Sequence, residues 1–237
     1  MLCQFTVKNF KSIRDEVTFD MQAAAISEHE DRIIIDKDEQ KYLPVSAVYG
    51  PNGGGKSNVL AALHTLVAKV LRPLLATEDS EEKVLLQRKI IVEPFAFSKS
   101  KDEPTEFELF FRTTVSEYRY ILHVKRDIVL YESLDRVKLE TGRKSALFTR
   151  DENGIVLKGA FAKLKVSDEL SKTLTLLSYL GIAYKGNAVV KDVLSWFEYG
   201  IEFLNYGNPI QELKMAVSTS EDVKKLMLQM IQEMDLD

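Results

Sequence analysis

From Leu2 to Lys8 apolar and polar residues alternate, with Cys3, Phe5 and Val7 on one side, and Glu16 to Met21 repeats the pattern with Val17, Phe19 and Met21. A period of two predicts two half-buried strands, with Asn9-Phe10-Lys11-Ser12 as the turn between them. After a small-residue stretch and an acidic loop carrying His29, Ile33-Ile34-Ile35 predicts another short strand. Val45-Ser46-Ala47-Val48-Tyr49 is a short apolar run, read as a buried strand. Beyond it Val59, Leu60, Leu63, Leu66, Val67 and Val70 recur at helical spacing up to Arg72-Pro73, where proline is expected to end the helix. Glu78 to Gln87 reads as a charged surface helix or loop, and Lys89 to Phe97 as the start of a new sheet.

Residues 105–158 return to period two. Phe107, Leu109 and Phe111 alternate, as do Tyr118, Tyr120, Leu122 and Val124, and Ile128 to Val137 continues the set. Asn153-Gly154, between Leu147-Phe148 and Ile155-Val156-Leu157, is a hairpin signal. The expected structure is an antiparallel meander whose aromatic stripes form core. After Val166 the texture becomes helical, with candidates at Asp168 to Tyr179, Ala188 to Phe197 and Glu221 to Met234. Ser218 and Glu221 make a capping box for the last of these, and Gly181 to Asn187 is the most loop-like break. Two regions are therefore expected, 1–165 and 166–237.

Composition narrows the class. An apolar fraction of 45% with 29% charged residues is that of a soluble globular protein, and a net charge of −4 announces no basic field for nucleic acid. The single cysteine, Cys3, excludes an internal disulfide framework and fits a reducing cytoplasm. Gln4, Lys8, Lys11 and Arg14 interrupt any leader-like apolar run, and no apolar stretch approaches the roughly 20 residues that cross a bilayer. The expectation is a cytoplasmic protein with no membrane association.

The chemistry is concentrated between the apolar run and the helix. Gly50-Pro51-Asn52-Gly53-Gly54-Gly55-Lys56-Ser57 spells G-x-x-x-x-G-K-S, the phosphate-binding P-loop (Walker A). Glycines let the backbone wrap a polyphosphate with N–H groups pointing inward. Lys56 reaches the β- and γ-phosphates, and the Ser57 hydroxyl ligates Mg²⁺. A helix starting at Lys56 turns its N-terminus toward the phosphates. The cofactors expected are ATP and Mg²⁺.

Four segments together resemble the bacterial ABC-type ATPases of the SMC and RecF kind, especially the stand-alone "AAA family ATPase" branch common in anti-phage and DNA-maintenance loci. They are Phe5 to Ile13 with its N-F-K-S turn, Gly50 to Asn58, Glu93-Pro94-Phe95, and the meander from Tyr118-x-Tyr120 to Leu147-Phe148-x-Arg150. The resemblance implies a mixed α/β P-loop NTPase fold: an ATP-binding lobe with an antiparallel β subdomain and a helical C-terminal segment. It also implies that Lys11 lies near the phosphates, with Asn9 and Ser12 as neighbours, although Lys11 also reads as a solvated turn lysine. Asn52 and Asn58 join the cradle on the same ground.

Hydrolysis needs an acid to complete the Mg²⁺ shell and a group to orient water. In the resembled family these come from a Walker B strand ending in Asp-Glu, with a signature segment from a partner subunit. Ile33-Ile34-Ile35-Asp36 precedes the loop and lacks the second acid, and Ile128 to Glu132 lacks the acid pair and reads as a strand end with an ordinary exposed glutamate. No histidine follows a later strand as a γ-phosphate sensor, the Q-loop glutamine is not assigned, with Gln87 and Gln211 as weak candidates that also read as surface residues, and no catalytic residue is assigned. The expected role is an ATP–Mg-binding lobe that hydrolyses ATP only when a C-terminal half or partner chain completes it, acting with DNA or a nuclease effector. Competing readings are an assembly module that binds without hydrolysis, a P-loop small-molecule kinase, disfavoured by the meander, and a GTPase, disfavoured by the missing N-K-x-D. The stripe of Val223, Leu226, Met227, Met230, Ile231 and Met234 must bury against a partner or against the chain's own helices.

Overall fold

The computed structural model describes residues 1–24, 30–75, 90–97, 102–167 and 169–203, with Lys225, Leu228 and Gln229. The chain divides into two compact units, Met1–Ile201 and Glu202–Asp237. The change from strands to helices after Val166 falls inside the first. In the second, Lys225, Leu228 and Gln229 are helical; the stripe from Val223, the capping box, His29, Gln87, Gln211 and the charged stretch from Glu78 lie outside the described residues.

The first unit is built on one antiparallel sheet of seven strands in the order β2-β1-β5-β6-β7-β8-β9. These are β1 (Leu2–Lys8), β2 (Val17–Asp20), β5 (Thr105–Arg112), β6 (Ser116–Lys125), β7 (Ile128–Lys138), β8 (Lys144–Asp151) and β9 (Gly154–Leu157). The expected meander is present, and the Asn153-Gly154 signal marks a hairpin in which Asp151 pairs with Gly154. β3 (Ile34–Ile35) and β4 (Lys41–Tyr42) form a separate hairpin.

Alternation along the sheet defines its core face. Cys3, Phe5, Val7, Phe107, Leu109, Phe111, Tyr118, Tyr120 and Leu122 are buried on it. The helices are α1 (Lys56–Leu75), α2 (Leu176–Ala183) and α3 (Ala188–Tyr199). Trp196 and Phe197 of α3 pack on Phe111 at ring separations of 4.6 and 5.4 Å, so the aromatic stripes are core. The opposite face carries paired charges such as Lys8–Glu106 and Arg119–Glu108.

Several elements depart from the sequence reading. Pro73 lies inside α1, two residues before its end. Proline denies a hydrogen bond to the carbonyl four residues earlier, that of Lys69, and the buried Ser178 hydroxyl of α2 lies 3.4 Å from this carbonyl and 2.7 Å from that of Val70. α2 begins at Leu176, later than the expected Asp168. Gly181, expected in a loop, is helical and buried: a Cβ there would lie 2.6 Å from Leu74 of α1 and 2.6 Å from Leu194 of α3. Residues 90–97 form no strand, although Val92 donates its amide to the Arg126 carbonyl.

Candidate functional site

Gly53 and Gly55 adopt φ of 80° and 86°, a left-handed region that favours glycine. They curl the chain so that the amide of Gly54 meets the Pro51 carbonyl at 3.1 Å, and those of Asn58 and Val59 reach Gly55 as α1 begins. Lys56 is the first helical residue, and its ammonium donates to the carbonyls of Gly50 and Pro51, both at 2.7 Å. Pro51, Asn52, Gly53, Gly54 and Ser57 are exposed. The loop therefore presents a cation, a hydroxyl and a helix N-terminus on one accessible surface, a combination suited to an anion.

The N-F-K-S turn is brought against this loop. The Asn58 side-chain amide donates to the Ser12 hydroxyl at 2.7 Å, and a Cβ on Gly55 would come within 3.1 Å of that oxygen. Asn9 holds the turn in place. It is fully buried at φ 56°, its side-chain amide donates to the carbonyls of Glu103 and Pro104, and its side-chain oxygen accepts from Phe95 N–H. Lys11, also left-handed at φ 49°, donates its amide to the Glu93 carbonyl, and its exposed ammonium lies 5.4 Å from the Phe10 ring centroid. Residues 9, 12, 55, 58, 93 and 95 thus form one constellation from three separated stretches of chain. Asn9 as the clamp was not evident from sequence, where it read only as a neighbour of Lys11.

The run before the loop is not a strand. Val45 and Tyr49 are 76% and 89% exposed, and Val48 is exposed too. A strand needs a neighbour for its backbone groups, and no described residue pairs with this run. α1 tells the same story. Its inner stripe of Ala62, Leu63, Leu66, Val67 and Val70 is buried, yet only 33% of its most apolar 18-residue stretch is, and Leu60 is 55% exposed. By length and composition this 20-residue helix could cross a bilayer, contrary to the sequence expectation; its inner stripe instead packs within the first unit, against α2 and α3.

Glu132 is neither exposed nor at a strand end. It sits mid-β7, fully buried, and its carboxylate accepts from Leu176 N–H at 2.6 Å, Leu177 N–H at 3.0 Å and the Tyr120 hydroxyl at 2.9 Å. It caps α2 together with Thr175, which accepts from Ser178 N–H, so its geometry is that of a structural anion at a helix N-terminus. Burial pushes its carboxyl above the ordinary value, against those donors and Arg150.

Comparison with known proteins adds one finding. Residues 45–190 match the family described as "AAA domain, putative AbiEii toxin, Type IV TA system". No curated protein matches the chain. Because the match takes in the glycine loop, all of α1, the meander and the start of α3, more than half of the sequence, the chain belongs to this AAA-domain family of P-loop ATPases.

Proposed function

We propose that this chain is the ATP–Mg²⁺-binding lobe of an SMC/RecF-like ABC ATPase, with residues 50–58 cradling the triphosphate and Lys11 beside it. The observation that carries the reading is the docking of Ser12 on Asn58 and Gly55, which sets a second lysine-bearing turn against the P-loop. Lys56 would exchange its two carbonyl partners for phosphate oxygens. Among the described residues no cluster of three or more His, Cys, Asp or Glu gathers to hold a metal. Mg²⁺ would then be held with the nucleotide, by Ser57 and phosphate oxygens, and would neutralise phosphate charge. The uncovered side of α1 and the Val45–Tyr49 run support a second layer, supplied by a further segment or a partner chain, that would bring the missing acid pair and signature surface. The biological setting is DNA maintenance or anti-phage defence in the cytoplasm. It is supported by the sequence resemblance and by the family's description, which names a toxin of a toxin–antitoxin system.

Calorimetry with Mg-ATP on the folded chain tests the core of this. Lys56→Ala should abolish binding, and equal affinity in wild type and variant would overturn the proposal. Purified chain should show negligible ATP turnover; steady hydrolysis that is lost in Lys56→Ala would mean that a catalytic acid lies within these 237 residues.

A further inference from the structure

Two aromatic side chains remain without a role. Phe97 is 90% exposed, and its ring meets that of Phe95 edge-on with centroids 5.8 Å apart. Their place is not accidental. Phe95 N–H is bonded to the buried Asn9 side chain, and Glu93 is bonded to Lys11, so the 93–97 segment is fastened to the turn that touches the P-loop. Phe97 is four residues beyond Glu93, within about 14 Å of it even if fully extended, and the chain turns at 96–97. A bare phenyl ring on a segment tied to the turn that meets the P-loop is costly in water, and its accessible π-face suits a flat aromatic ligand.

We propose that Phe97, backed by Phe95, is the platform on which the purine of the bound nucleoside triphosphate stacks. The inference rests on the nucleotide reading above and extends it from the phosphates to the base. Stacking uses a π-face that every base offers and involves no hydrogen-bond readout, so the platform tolerates adenine and guanine alike. The phosphates are recognised through Gly50–Asn58, and the base through Phe97.

Titration of the full chain with Mg-ATP, Mg-GTP and Mg-tripolyphosphate, the last having phosphates but no base, tests this. Phe97→Ala should weaken ATP and GTP by similar factors, about 5- to 100-fold, and leave tripolyphosphate unchanged. Phe97→Leu, which keeps apolar area but loses the ring, should fall with the alanine variant, and Phe97→Trp should retain both nucleotides. ATP affinity unaffected by Phe97→Ala, or preserved by Phe97→Leu, would overturn the platform while the P-loop reading stands. Equal weakening of tripolyphosphate would overturn it too, since the ring would then act on the loop. Wild-type chain that binds none of the three probes would overturn the nucleotide reading, and the platform with it.

Discussion

Every polar group of the Asn9 side chain is engaged in fixing one turn, and its backbone sits in a region asparagine tolerates better than most residues. Asn9→Ala would strand buried partners and strain the backbone, so it should cost about 3 kcal/mol in urea unfolding. Asn9→Gly, which relieves only the strain, should recover a minor part. Glu132 offers a pH test. Its carboxyl is raised in the folded state, so that state holds the proton more tightly than the unfolded chain does. Stability from this group is fully present below about 4.5, the ordinary value, and is lost as pH rises through the folded one. Glu132→Gln cannot titrate, so the wild type's stability margin over it should be largest in acid and shrink toward neutrality; a margin that grows with pH would contradict this. Neither residue's role was legible in the sequence, because both depend on partners far along the chain.

Local periodicity is what made the elements readable. β1 has the expected bounds, the meander is present, and α3 starts at Ala188 as its pattern indicates, capped by Asn187, whose side chain accepts from the amides of Val189 and Val190. Where a boundary is set from a distance the reading slipped. α2 starts eight residues after its polar-apolar pattern does, since Glu132 of β7 and Thr175 fix the first turn. Pro73 stays helical because Ser178 covers the carbonyls around its gap. The Gly-Lys-Ser motif was legible since its chemistry is contiguous; the docking of the 93–97 segment on the Asn9–Lys11 turn was not, and that stretch read as the start of a sheet. At the crossing of α1, α2 and α3, Gly181→Val would drive a branched side chain into Leu74 and Leu194, and should destabilise the unit by about 1–3 kcal/mol. The midpoint of thermal unfolding would report it.

Over the whole molecule, the apolar surface left open on α1 and the Val45–Tyr49 run is the main departure from what the sequence pattern promised. Val45, Val48, Tyr49 and Leu60 together expose the kind of surface that binds hydrophobic dyes and sticks to other chains. Leu60→Gln combined with Val45→Thr should lower dye fluorescence and light scattering of the folded chain with less than about 1 kcal/mol change in stability, whereas a large loss of stability would mean these side chains are already covered. The order of the sheet has a kinetic meaning as well. β5 to β9 join neighbours through short turns, while β1 enters beside β5 with Lys8 opposite Glu106, nearly a hundred residues away. Closing so long a loop is slow compared with zipping hairpins. The meander can therefore organise first, with β1 arriving late and carrying Asn9, Lys11 and Ser12 with it. Refolding chains should regain sheet signal before they regain affinity for nucleotide, so that the capacity to bind is the last property a newly made molecule acquires.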